Sequence, residues 1–270
     1  TFPAMASILT TVFVACALLI TLSSSNEAGW NSRPHVGQRG QIFVSTLDKT
    51  DSVTRSNTLM RSATQAVDAE RTVTSEATLR GMAWNSGPGG PETMVEAVSP
   101  ITGKTFTQRP DMAPMAELDV AYIVDDGTYL RQAGYLKEAD MVRALATLNA
   151  GGVLVPDPDL INGAGQVQLR SLDMADIAAA RAQGVSDSAL PDARVLRSQT
   201  FAASPLTRVN VMVLSPAAAT ALRLNSVPLG QLLTVKKPVN TVDAPAFQAT
   251  IARQVPGASA QVITPTMRSI

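Results

Sequence analysis

Histidine and cysteine are almost absent from this 270-residue chain, which contains one of each. His35 lies in a polar stretch near the N-terminus, and Cys16 lies in an apolar run. The large remaining part of the chain therefore has no Ser-His-Asp or Cys-His arrangement for nucleophilic catalysis. It also lacks the imidazole and thiolate ligands that zinc prefers. The missing cysteines fit an oxidising compartment as well as the cytosol.

Complete nucleotide-binding motifs are missing too. Gly103-Lys104-Thr105 has the end of a phosphate-binding loop, but the first glycine of that loop would fall at Val98. Gly163-Ala164-Gly165 lacks the third glycine of a dinucleotide-binding turn, and a plain tight turn is the simpler interpretation. We predict no catalytic, cofactor-binding or metal-binding residues and no cofactor, and we do not expect an enzyme.

Strong charge of either sign is also lacking. The chain has 22 basic and 22 acidic residues, without a block of like charge. This balance argues against a nucleic-acid surface and against a polybasic lipid-binding patch. Aromatic residues make up only 4% of the chain, so we expect an aliphatic core.

Carboxylates cluster at two places, Asp125-Asp126 and Asp157-Pro158-Asp159. Each cluster is a conceivable pair of calcium ligands, yet neither has the alternating oxygen-ligand spacing of a calcium loop. The pattern favours solvated turns or helix caps at both places.

The longest uncharged run covers residues 4–24. A helix of this length spans roughly 30 Å, the thickness of a hydrocarbon core, so the run predicts one transmembrane helix. A secretory signal peptide, a lipoprotein cysteine at Cys16 and a buried helix are the alternatives. No basic residue precedes the run, as a signal peptide would require, and the sequence after Cys16 stays apolar. Because the chain begins with Thr1, we expect a segment of a longer protein.

Apolar periodicity alternates between strands and helices along the rest of the chain, which predicts an α/β or α+β fold. The predicted strands cover residues 41–46, 73–80, 94–98, 119–124, 153–155, 166–170, 194–198, 210–214, 229–236 and 259–263. The predicted helices cover residues 56–70, 138–149, 173–183 and 241–254, and another opens at Ser215-Pro216.

Several segments together resemble the extracytoplasmic domain of MacB/FtsX-like ABC transporter permeases. They are DVAYIVDDGTYLR (119–131), LNAGGVLVPDPDLI (148–161), GQVQLR (165–170), VMVLSPAAATALRL (211–224) and residues 232–263. We assign the transmembrane helix to residues 1–24, and the polar residues 25–40, which contain Gly and Pro, predict a stalk. The resemblance implies a discontinuous porter-like βαβ lobe, 41–104 with 205–270, and an inserted lobe at 105–204. The strand at 41–46 should then share a sheet with 232–235 or 259–263.

The same resemblance implies a noncatalytic role in the plasma membrane, with the large domain extracytoplasmic. A separate cytoplasmic ATP-binding subunit would drive a dimeric permease, whose motion is coupled to export or to activation of a cell-envelope partner protein. A lipid, a lipoprotein or a peptide would be the substrate, and no nucleic acid is expected. A membrane-anchored extracellular binding or adhesion module and an anchored hydrolase are the rival interpretations.

Overall fold

Eleven strands form one sheet in the computed structural model, which describes residues 37–46, 53–83, 93–103, 105–107, 120–134, 136–173, 195–206 and 211–263. The strands are β1 (Ile42–Thr46), β2 (Val73–Ala83), β3 (Thr93–Val98), β4 (Thr105–Thr107), β5 (Val120–Val124), β6 (Val153–Val155), β7 (Gln166–Asp173), β8 (Val195–Pro205), β9 (Val213–Leu214), β10 (Val227–Val235) and β11 (Ala258–Val262). Their order in the sheet is β11-β1-β10-β2-β5-β9-β6-β8-β7-β3-β4.

Five α-helices accompany the sheet within the described residues. They are α1 (Val53–Glu70), α2 (Thr128–Ala133), α3 (Glu138–Asn149), α4 (Pro216–Ala221) and α5 (Ala244–Gln254), with a 3₁₀ helix at Pro158–Leu160. The mixed α/β class predicted from the sequence is therefore confirmed. The predicted helices at 1–24 and 173–183 lie outside the described residues, apart from Asp173, which ends β7. Among the helices that are described, none combines the length and the apolar character needed to cross a membrane.

Strand β1 is the first strand of the described chain, and it lies between β10 and β11, the last two strands. Ile42 pairs with Leu233 of β10 on one side and with Val262 of β11 on the other. The predicted sharing of a sheet by 41–46 with 232–235 and 259–263 is thus confirmed. Together β1-α1-β2 and β10-α5-β11 form a split βαβ arrangement with strand order β11-β1-β10-β2, all antiparallel.

The division into lobes stays a prediction. The sheet continues from β2 to β5 without a break, and β3 pairs with β7. Strands from both predicted lobes therefore lie side by side in the one described sheet.

Alternation along the strands divides the core between the two faces of the sheet. Ile42 and Val44 of β1 pack with Met60 of α1 and Phe247 of α5, whereas Phe43 packs with α2 and α3 on the opposite face. Helix α4 lies on the same face of the sheet as α1 and α5. On this face of β2, Glu76 pairs with Leu233, which packs with α1 and α5, and Arg80 pairs with Val124, which packs with α4. Ala77 and Leu79 alternate with these residues and belong to the opposite face.

Two predicted helix details are wrong. The predicted helix 56–70 starts too late, because α1 begins at Val53 and Ser56 lies inside the first turns. Val142 is apolar and lies within the predicted helix 138–149, but it is 59% exposed, and the buried positions of α3 are Met141, Ala144 and Leu148. Val142 lies about 100° around the helix from Met141, at the border of the apolar stripe.

Gly81 allows β2 and β5 to approach closely. A methyl group added at Gly81 would overlap the carbonyl oxygen of Tyr122, which belongs to the neighbouring backbone and cannot rotate away. We expect Gly81→Ala to lower the free energy of unfolding by about 2 kcal/mol. Chemical denaturation followed by circular dichroism measures this loss. Gly163→Ala is the matched control, since nothing lies near its added methyl group; equal stability of the two variants would contradict the prediction.

Candidate functional site: a groove at the ends of two parallel strands

The connectivity of β5 and β9 creates a crevice at one edge of the sheet. The two strands are parallel neighbours, with Ile123 opposite Val213 and Val124 opposite Leu214, so both end at the same edge. The chain then continues from β5 into α2 on one face and from β9 into α4 on the other. Such a switch in direction leaves an open crevice, the usual location of ligands in α/β sheets.

A groove of about 460 Å³ lies at this point, and we call it the switch groove. Its walls come from β2, from the β5–α2 turn, from α4 and from the segment after α4. The lining residues are Thr78, Arg80, Val124, Asp125, Asp126, Thr128, Pro216, Ala219, Thr220, Leu224 and Ser226.

Asp125 is the first residue after β5 and is only 6% exposed. Its carboxylate accepts hydrogen bonds from the backbone N–H groups of Tyr129 (3.1 Å) and Leu130 (3.0 Å) in α2. These donors have no partner inside the helix, so Asp125 caps the first turn. Burial raises the pKa of Asp125, and the two backbone hydrogen bonds oppose this shift.

Asp126 has the opposite environment, because it is exposed. Its Oδ1 accepts the backbone N–H of Thr128 at 2.9 Å. Hydrogen bonds from the Thr128 side chain and backbone lower the pKa of Asp126, so this carboxylate is ionised at neutral pH. Gly127, which follows, has a φ of 100°, a left-handed conformation that suits glycine and turns the chain into α2.

The facing wall of the switch groove belongs to β2. Arg80 pairs in register with Val124 and is exposed. Its Nη2 donates a hydrogen bond to the carbonyl oxygen of Ser226 at 3.1 Å, while the Tyr122 hydroxyl donates to the carbonyl oxygen of Asn225 at 2.8 Å. These two bonds hold the segment after α4 against the sheet. Within the described part of the chain, Arg80 makes no ion pair.

The α4 wall is rigid for local reasons. Ser215 is buried, and its Oγ accepts the backbone N–H of Ala218 at 3.1 Å. Pro216 occupies the first helical position, where its missing N–H costs nothing. The predicted helix start at Ser215-Pro216 is confirmed.

Both aspartate clusters act as caps, as predicted. Asp157 accepts the backbone N–H of Asp159 at 2.9 Å and opens the 3₁₀ helix, away from the switch groove. Asp125 and Asp126 open α2. Of the two predicted roles, solvated turn or helix cap, Asp125 has the second, since it is buried and accepts the N–H groups of Tyr129 and Leu130.

The glycine-rich segments form turns. The Gly103 N–H donates to the carbonyl oxygen of Ser99 at 3.0 Å, and the Gly165 N–H donates to that of Asn162 at 2.9 Å. Lys104 lies outside the described residues. Where the structure describes the chain, no three His, Cys, Asp or Glu side chains lie close enough to hold a metal ion. The expected lack of a metal, a cofactor and catalytic residues stays a prediction.

Arg80 belongs to the groove but is not predictable from the sequence. No local pattern marks an arginine within a strand, and its neighbours in the groove come from β5 and from the segment after α4. Comparison of the chain with known protein families and with curated proteins gives no match. The switch groove is therefore the candidate site on geometric grounds: a concave surface with an aliphatic wall, one arginine and two aspartates.

Removal of the Asp125 carboxylate leaves two helix N–H groups without an acceptor in a buried position. We expect Asp125→Ala to lower the free energy of unfolding by about 2–3 kcal/mol. Urea denaturation measures the loss. Asp159→Ala, at an exposed position, should change stability by less than about 0.5 kcal/mol. A loss at Asp159 as large as at Asp125 would contradict the assigned capping role.

The raised pKa of Asp125 predicts a pH dependence of stability. Because the folded chain holds this proton more tightly than the unfolded chain, the titration of Asp125 favours folding most below the unfolded-state pKa, about 3.9. This contribution is lost as pH rises through the folded-state pKa. The free energy of unfolding of the wild type minus that of Asp125→Asn should therefore fall as pH rises from about 3.9. A difference that stays constant or grows would contradict the shift.

Proposed function

We propose that this chain comprises the first membrane helix and the extracytoplasmic domain of an ABC transporter permease of the MacB/FtsX type. The domain performs no catalysis. A separate cytoplasmic subunit hydrolyses ATP, and the domain passes the resulting motion to a lipid, lipoprotein or peptide substrate or to a cell-envelope partner. The permease acts as a dimer in the plasma membrane.

The closure of the domain on itself is the observation that supports this proposal most. The Gly40 N–H donates to the carbonyl oxygen of Ile263 at 2.9 Å, and the Ile263 N–H donates to that of Gln41 at 2.9 Å. The described chain thus enters and leaves the sheet at one place. A domain inserted between two consecutive membrane helices needs this arrangement, since both connections return to the same membrane surface.

The split βαβ arrangement supports the finer assignment of a porter-like lobe built from 41–104 and 205–270, with 105–204 inserted. The two βα units come from opposite ends of the domain, and the intervening chain enters between β2 and β10.

A buried polar network supports mechanical coupling from the point of entry. Gln41 is 7% exposed, and its Nε2 donates to the carbonyl oxygen of Gln132 and to Thr234 Oγ1, both at 3.0 Å. Gln132 Nε2 in turn donates to the carbonyl oxygen of Leu232 at 2.8 Å. Because Gln132 belongs to α2, a displacement at Gln41 is passed to the helix that borders the switch groove.

A membrane-anchored extracellular binding module is the second candidate. The switch groove favours it, since a concave site with charged groups is what such a module uses. This candidate requires neither a second membrane helix nor an ATP-binding subunit.

The full natural gene product, expressed in its membrane, tests the proposal. We expect a further apolar span after Ile270, co-purification of an ATP-binding subunit, and loss of transport or partner activation by at least about fivefold in Gln41→Ala with ATP hydrolysis retained. The loss follows because the Gln41 side chain donates one hydrogen bond to α2 and another to Thr234 of β10, and both are absent in the variant.

Thr64→Val is the matched control, because it removes one hydrogen bond to Gln231 elsewhere on the same sheet. A natural protein that ends without another span, or one that binds no ATPase, would overturn the permease assignment in favour of the binding module.

A further inference from the structure

We infer that the switch groove binds a small zwitterion, an amino acid or a short peptide, whose ammonium group contacts Asp126 and whose carboxylate contacts Arg80. The inference goes beyond the proposed function and does not depend on it, since binding requires this chain alone.

Side chains of opposite charge line the switch groove. Arg80 projects from β2, opposite Val124, and Asp126 follows Val124 by two positions in the turn before α2. No ion pair joins Arg80 to either aspartate among the residues that the structure describes. A ligand that carries both charges completes both interactions at once, whereas a ligand of one sign leaves a like charge nearby.

The donors and acceptors that remain match an amino and a carboxyl group. Arg80 uses one Nη2–H for the Ser226 carbonyl, and the rest of its planar guanidinium can bind a carboxylate. Asp126 accepts hydrogen bonds from the backbone and the side chain of Thr128. Its exposed carboxylate has further lone pairs that can accept from an ammonium group. The lowered pKa of Asp126 keeps this acceptor charged at neutral pH.

Size and polarity limit the rest of the ligand. The volume of about 460 Å³ lies within the range of small-molecule sites. Val124, Pro216, Ala219 and Leu224 provide an aliphatic wall that suits an apolar side chain, and Thr78, Thr128 and Thr220 lie among them. This wall favours aliphatic over charged side chains.

The two charged groups are held in place by neighbours that would not touch the ligand's charges. The buried Asp125 carboxylate orders the turn that carries Asp126 through its bonds to Tyr129 and Leu130. The Tyr122 hydroxyl holds Asn225 beside the Ser226 carbonyl that Arg80 contacts. Such preorganisation lowers the entropy cost of binding.

Calorimetric titration of the full chain in detergent tests the inference with free leucine, leucyl-leucine and alanyl-leucyl-alanine. We expect saturable binding of at least one, and the preferred length distinguishes an amino acid from a peptide as the ligand. N-acetylation or C-amidation of that ligand should weaken binding by at least about tenfold each, because each removes one charge-assisted contact.

Substitutions assign the two ends of the ligand. Arg80→Gln should weaken binding at least about tenfold and abolish the discrimination against the C-amidated form. Asp126→Asn should weaken binding at least about tenfold and abolish the discrimination against the N-acetylated form. Arg80→Lys, which keeps the charge without the planar fork, should give an intermediate loss and covers the case in which Arg80→Gln fails to fold. Asp126→Glu serves the same purpose for Asp126.

Arg143→Gln and Asp140→Asn are the matched controls, since they break an exposed ion pair on α3 and should leave affinity unchanged. Absence of binding to all three zwitterions, equal binding of the blocked forms, or affinity that survives both groove substitutions would overturn the inference. None of these outcomes bears on the membrane topology or the ATPase partner, so the two proposals fail separately.

Discussion

Two residue pairs between β5 and β9 join the two halves of the sheet at its shortest strand, β9. Ile123 and Val124 pair with Val213 and Leu214, and all four side chains are buried. The Ile123 N–H donates to Met212 at 3.1 Å and the Asp125 N–H donates to Leu214 at 3.0 Å. Every strand from β11 to β5 connects to every strand from β9 to β4 through this short ladder, so its loss would separate the sheet into two parts.

The same ladder accounts for the groove. Because β5 and β9 are parallel, the turns that follow them meet at one edge of the sheet, and α2 and α4 then lie on opposite faces. Val124 ends β5, and Asp125 and Asp126 begin the turn that follows, so an aliphatic and a polar part of the groove are consecutive in sequence. A groove with an apolar wall and charges of both signs thus follows from strand direction, and side chains from β2 and α4 complete it.

The elements predictable from the sequence are those with a strong local signal. Helix α3 and strand β6 were predicted with the bounds that the structure has, since α3 has helical apolar spacing and β6 is a short apolar run ended by proline. Helix α2 was not predicted, because six residues between Gly127 and Gly134 are too few to show periodicity. Strand β8 runs to Pro205, well past its predicted end, and its polar residues after Ser198 are ordered by pairing with β7, which is a long-range effect.

Some features of the candidate site are likewise predictable from local sequence, and others are not. Aspartates directly after an apolar strand indicate a helix cap, so the roles of Asp125 and Asp126 follow from local sequence. The burial of Asp125 and the resulting difference between the two carboxylates require α2 to lie over the strand end, which no local pattern contains. Arg80 joins the site only through the register of β2 with β5, where a shift by one residue would place it on the opposite face.

Helix α2 connects the groove to the point where the chain enters the sheet. Its six residues span about 9 Å; Asp125 and Asp126 hold its first turn, and Gln132 in its last turn is bonded to Gln41 and Leu232. If a ligand in the groove favours one position of α2, linkage requires that a displacement of the entry strand change the affinity for that ligand by the same free energy. The polar contacts at the two ends of α2 would carry this coupling between the switch groove and Gln41.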